Sequence, residues 1–232
     1  MILAFETSAK AASVALMEQG KLLGESFQNT GLTHSQTLMS MAEDLLSACG
    51  KTPQQVTAVA AAAGPGSFTG VRIGVAAAKG FAWGKEIPCY GVSTLEAMAE
   101  NLGVWQGYVV PTMDARRSQT YTAIFRAERG KLTRILEDCA ISFEELGEKL
   151  KNCEETIFLV GDGAVLCYNT LLEAVPGLVL PPEHRLHQRA AGVALLAQRQ
   201  MDAGIPGDGA ALTPNYLRLS QAERERLARE NI

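Results

Sequence analysis

The chain is poor in the residues that usually announce chemistry. It has three histidines, 6% aromatic residues and five cysteines. Cys49, Cys89, Cys139, Cys153 and Cys167 are odd in number and scattered, with no CxxC pair and no histidine close by. Disulfide frameworks and zinc sites both need tighter grouping, so reduced thiols are expected. Cationic excess is also missing. A formal charge of −4 and a pI near 5.5 argue against a free-standing nucleic-acid binder. The apolar stretch at 59–63 stops at Gly64-Pro65-Gly66, far short of the roughly 20 residues that span a bilayer. The N-terminus has no basic region and meets Glu6 at once, so it reads as a buried strand and not as a signal peptide.

What is present is apolar bulk in alternation. With 232 residues, 47% of them hydrophobic, the chain can bury one large core or two smaller ones. Residues 2–5 predict a strand ending at Glu6-Thr7-Ser8, and 13–17 and 22–27 flank the hairpin signal Gln19-Gly20-Lys21. Thr33-His34-Ser35-Gln36 has the form of a capping box opening a helix that stops at Gly50. A strand at 56–63, a helix at 68–83, a strand at 89–92 and a helix at 94–101 follow. The order then restarts. Residues 108–113 end at Asp114 as the first strand ends at Glu6, and Arg129-Gly130-Lys131 echoes Gln19-Gly20-Lys21 between strands at 119–126 and 132–137. Helices near 143–150, 165–175 and 187–201 and strands at 157–160 and 178–180 complete the second round, and a charged helix-like segment ends the chain.

This pattern predicts an internal duplication: an α/β protein of two RNase H-like, actin-like lobes, each a mixed five-stranded sheet flanked by helices. The lobes are expected at residues 1–104 and 105–207, with the tail from about 208 to 232 packing back on the first. A single irregular mixed sheet is the competing arrangement.

In actin-like ATP folds the first strand of each lobe ends in an acid that holds metal, beside turns that give N–H groups to phosphate. Here those turns are Glu6-Thr7-Ser8-Ala9 and Asp114-Ala115-Arg116-Arg117. The first acid is a methylene too long, and bulky cations crowd the second turn. Asp114 paired with Arg116 or Arg117 is the structural alternative. The segment Gly64-Pro65-Gly66-Ser67-Phe68-Thr69-Gly70-Val71-Arg72 lacks the Lys of a Walker A loop. Its glycines serve either backbone geometry or a weak anion or nucleotide contact through Thr7, Ser8, Gly66 and Ser67, with Ser67 capping the next helix.

That helix has only Arg72 and Lys79 as charges, and Gly70, Gly74, Ala78 and Ala82 recur every fourth residue. A helix apolar nearly all round needs cover on more than one side. It is expected to pair with the first helix, through Leu38, Met41 and Leu45 against Val71, Gly74, Val75, Ala78 and Phe81, as half of a four-helix subunit interface; burial within the chain is the alternative. His34 sits at a helix cap, and His184 and His187 have no ligand partners in sequence. No catalytic triad, acid–base pair or metal set is defensible from spacing.

Taken together, the block 63–74, Ala78-Lys79-Gly80, Gly91-Val92-Ser93-Thr94-Leu95, Asp114-Ala115-Arg116, Gly161-Asp162-Gly163 and Pro214-Asn215-Tyr216-Leu217-Arg218 resemble the TsaB (YeaZ) family over essentially the whole chain. The resemblance implies a bacterial, cytoplasmic, non-catalytic partner of TsaD. TsaD, with the ATPase TsaE, transfers a threonylcarbamoyl group from threonylcarbamoyl-AMP to N6 of adenosine 37 in tRNA. It further implies a homodimer when alone, contact with TsaD through the first two helices, tRNA reached only through the complex, and no cofactor. The His-x-x-x-His metal pair of TsaD falls here on Thr94 and Met98, which cannot ligate. A weakly nucleotide-binding ATPase or kinase using Glu6, Ser8, Asp114 and the loop at 64–70 remains the alternative. A metallopeptidase would need ligands the chain does not offer.

Overall fold

The computed structural model describes residues 1–103 and 105–218, and the charged segment expected at the end of the chain lies outside them. The first round of elements is β1 (Ile2–Glu6), β2 (Ala12–Glu18), β3 (Lys21–Gln28), α1 (His34–Ala48), β4 (Ala58–Gly64), α2 (Phe68–Trp83), β5 (Cys89–Ser93) and α3 (Thr94–Ala99). The second is β6 (Gly107–Asp114), β7 (Gln119–Glu128), β8 (Lys131–Ser142), α4 (Phe143–Leu150), β9 (Ile157–Val160), α5 (Ala164–Leu171), β10 (Leu178–Val179), α6 (Glu183–Leu186) and α7 (Ala190–Asp202). Two five-stranded sheets result, ordered β3-β2-β1-β4-β5 and β10-β9-β6-β7-β8. In both, an antiparallel meander is followed by two parallel strands reached through helices. The repeat read from the sequence is therefore a repeat of winding.

Alternation along β1 sets the layers. Leu3 and Phe5 face α1 and α2, where they pack with Leu38, Met41, Leu45, Val71 and Val75. Ile2 and Ala4 face the other way and pack with Val193, Ala194 and Ala197 of α7. Successive side chains on a strand point to opposite faces, and a strand buried on both becomes a continuous apolar run. The second sheet repeats this, with α4 and α5 on one face and α3 on the other.

Helices are exchanged across the boundary expected at 104/105. Leu95, Met98 and Ala99 of α3 pack on Val109, Met113 and Phe125 of the second sheet, whereas α7, from the second half of the chain, covers the first. The two helices cross where a Cβ on Gly192 would meet the Ala97 carbonyl oxygen at 2.2 Å. The start of α7 is held by the first sheet: Ala190 N–H donates to Ser13 Oγ and Ala191 N–H to Glu25 Oε1. Glu25 also accepts two guanidinium bonds from Arg189 at 2.9 and 2.7 Å. A carboxylate among unpaired helix N–H groups is the favourable polarity.

Several boundaries differ from expectation. β8 continues to Ser142, the helix expected from 187 begins only at Ala190 as α7, and the short α6 precedes it. Thr33 is the N-cap of α1 but makes no side-chain capping bond; among the described residues capping boxes are at Thr52/Gln55 and Ser142/Glu145. His34 instead reaches back, its Nε2 2.8 Å from the Ala9 carbonyl.

Candidate functional site

The first acidic turn is closed by the protein itself. Ser8 N–H donates to Glu6 Oε1 at 2.6 Å, and the Thr7 hydroxyl donates to the Gly70 carbonyl at 2.8 Å. Ser67 N–H donates to the Ser8 carbonyl at 2.7 Å. A Cβ would meet Ser8 O at 2.6 Å from Gly66, Thr7 O at 2.1 Å from Gly70 and Thr7 Oγ1 at 2.5 Å from Gly74. The glycines thus let the start of α2 lie directly on the turn, and the space a phosphate would use is filled by backbone. Thr7 and Ser8 are each 1% exposed. Of the anion contacts considered, Thr7 and Ser8 are sealed, Ser67 N–H is spent on Ser8, and only Gly66 and Ser67 reach the surface. Ser67 Oγ does cap α2, accepting from Gly70 N–H at 3.2 Å.

Glu6 is fully buried, and desolvation pushes its carboxyl up to about 7, against the lowering effect of the Ser8 N–H bond. Its Oε2 and the Ser8 hydroxyl have no partner. Asp162, its pKa raised from the ordinary value mainly by burial, accepts from Gln188 at 2.7 Å. Asp114 is exposed, and it accepts the backbone N–H of Arg116 at 2.7 Å in place of the guanidinium pairing considered from sequence. Thr94 and Met98 are fully buried, Met98 against the second sheet. Among the described residues no group of three or more His, Cys, Asp or Glu is placed to hold a metal. Burial holds the Cys89 and Cys167 thiols at about 11 and 12, far from a reactive thiolate.

The expected interface residues require correction. Leu38, Met41, Leu45, Val71, Gly74, Val75 and Ala78 are buried in the chain's own core, and Phe81 is half-buried beside it. The small-residue row packs inward because Gly70 and Gly74 must clear Thr7. The two helices do lie side by side, but their free surface is the opposite row of α2: Thr69, Arg72, Ala76, Gly80 and Trp83, edged by half-buried Ile73 and Ala77. Trp83 is 86% exposed, and Met39 of α1 and Leu32 just before it are 48% and 59% exposed. Gly80 has nothing within 4 Å of a built Cβ. The available signal was Arg72, the first of the helix's two charges: eleven positions at about 100° per residue bring Trp83 onto its row.

The two segments most distinctive in the sequence meet. Asn215 N–H donates to the Ala63 carbonyl, and Tyr216 stacks on Phe68 with ring centroids 4.2 Å apart. Lys79 reaches the carbonyls of Ala210 and Leu212.

Comparison with known proteins identifies the family and the fold. The sequence model of the family described as TsaD, tRNA N6-adenosine threonylcarbamoyltransferase, matches residues 28–225. The tRNA threonylcarbamoyladenosine biosynthesis protein TsaB of Bacillus subtilis strain 168 is 33% identical over 224 residues, 96% of either chain. The Escherichia coli K12 protein of the same name is 39% identical over 131 residues, 55% of either chain. The solved structure of YeaZ from Pseudomonas aeruginosa superposes with a TM-score of 0.79 at 27% identity, over 93% of this chain and 99% of that one.

Proposed function

The chain belongs to the TsaB family of tRNA threonylcarbamoyladenosine biosynthesis proteins, and from that premise we propose that it is a non-catalytic subunit which docks on TsaD. In this reading TsaD, with TsaE, performs the transfer from threonylcarbamoyl-AMP to adenosine 37. The present chain favours the TsaD form that uses those substrates. A partner changes activity only by binding one state better than another. Alone, the same surface closes a homodimer, and the setting is the cytoplasm. Among the described residues no helix is long and apolar enough to cross a membrane.

One observation carries the proposal: the outer row of α2, nearly uncharged and ending in the exposed Trp83, with Met39 and Leu32 of the α1 side also exposed. Exposed aromatic anchors among small residues are the composition of an interface core. The sealed Glu6–Ser8 turn supports the accessory role, because a nucleotide has no free turn to enter there.

The test is reconstitution of the tRNA modification from purified components with and without this chain. The proposal expects product only when it is present, and no ATP turnover by the chain alone. Full modification in its absence, or ATP turnover by the isolated chain, would contradict it.

A further inference from the structure

We propose that this chain touches the RNA backbone itself, through a strip of arginines and aromatic rings laid along residues 214–218. The inference rests on the tRNA reading above and adds a surface to it. Asn215 is fixed to the first lobe by its N–H on Ala63 O. The Arg72 guanidinium lies 4.0 Å from the Phe68 centroid, and its Nε donates to the Tyr216 hydroxyl at 2.7 Å. Arg218 then donates to the Ala115 carbonyl of the second lobe at 2.5 Å. Three residue steps cover at most ~10 Å, so the strap ties the start of α2 to the β6–β7 turn over a short span.

That turn holds Arg116, Arg117 and Ser118 exposed, at φ values of 61°, 55° and 57°. Residues with side chains disfavour this backbone region, and such outliers persist where the surroundings impose them, often at functional sites. Elsewhere Arg126, Arg134, Arg189 and Arg199 are each tied to a carboxylate, while, among the described residues, Arg129 and Arg185 are isolated arginines without one. Among the described residues Arg72, Arg116, Arg117 and Arg218 form no ion pair.

A chain of formal charge −4 thus places Arg116, Arg117 and Arg218 near two stacked rings, with the single acid Asp114 in the same turn and Arg72 at the border of the α2 row; of the rings, Tyr216 is 38% exposed. Guanidinium groups meet phosphates and open ring faces accept bases; an acidic protein surface would use the first and leave the second idle.

The experiment is fluorescence anisotropy of a labelled tRNA transcript with the complex of this chain and TsaD, titrated from low to physiological salt. The double variant Arg116→Ala/Arg117→Ala is expected to weaken binding at least five-fold at low salt. It should also reduce the magnitude of the log K against log salt slope by roughly 1.4, two phosphate contacts' worth for single-stranded RNA. Arg116→Lys/Arg117→Lys should restore most of both. Circular dichroism and size exclusion check that each variant folds and holds its partner. Unchanged affinity and slope overturn the inference. So does loss of the TsaD complex by a folded variant whose RNA binding is intact, which would make the strip a protein contact. If the chain proves necessary for modification while the strip variants bind RNA normally, only this inference fails. If modification proceeds without the chain, the function proposed above fails first.

Discussion

The two lobes share a winding and differ in what they leave outside. In the first, the acid ending β1 is buried and the glycine loop before α2 seals the turn, while α2 keeps a nearly uncharged outer row. In the second, the acid ending β6 is exposed on a left-handed turn, and α4 shows Glu144, Glu145, Glu148 and Lys149 to solvent. α5 exposes Val165 and Leu166, and Leu172 just past its end is exposed as well, with Asn169 and Thr170 between them. Duplication preserved the core and released the surfaces. The first lobe leaves a nearly uncharged helix row outside, and the second leaves charged and apolar positions side by side.

The sharpest way to break this comparison is at the glycines. Gly70→Val should cost more than about 3 kcal/mol, because its Cβ has no room against Thr7 O. Gly74→Arg should unfold the chain for the same reason, whereas Gly80→Arg, with open space at its Cβ, should shift stability by no more than about 0.5 kcal/mol. Thermal melts of the three variants decide it. Equal losses at all three sites would mean that the inward and outward rows have been misassigned.

The two acids offer the next contrast. Glu6 binds its proton more tightly folded, at about 7, than the ordinary carboxyl value of 4.5. The folded state therefore holds more protons between those values, so stability should fall as pH rises from about 4.5 to about 7 and then level off. The gap is worth on the order of 3 kcal/mol at most. Glu6→Gln keeps an acceptor for Ser8 N–H and should remove that slope, making the variant the more stable protein at pH 8. Denaturant melts across this pH range measure it, and a wild type that gains stability over the interval would refute the assignment. Asp114→Asn, at an exposed acid whose Oδ1 only accepts Arg116 N–H, should change stability by less than about 1 kcal/mol.

Much of this was legible in the sequence. Glu6 and Asp114 closing equivalent strands, and the paired Gln19-Gly20-Lys21 and Arg129-Gly130-Lys131 turns, revealed the duplication because local turn chemistry is written in neighbouring residues. Helix exchange was not legible. Gly192 meets Ala97 across ninety-five positions of chain, and no local pattern encodes such a crossing. The interface residues failed for a related reason. Leu38 and Val75 follow helical periodicity perfectly well, but periodicity finds an apolar face without saying whether the sheet or a partner covers it. A small-residue row signals close approach, and here the thing approached was Thr7 of the same chain. The distinguishing residue was Trp83, too large and too exposed to belong to the inward row.

The most direct test is to mix purified Gly80→Arg with TsaD and weigh the species by size exclusion with light scattering. The account predicts a folded monomer that neither joins TsaD nor self-associates, while the wild type does both. A variant that still assembles with TsaD at wild-type affinity would mean the partner sits elsewhere.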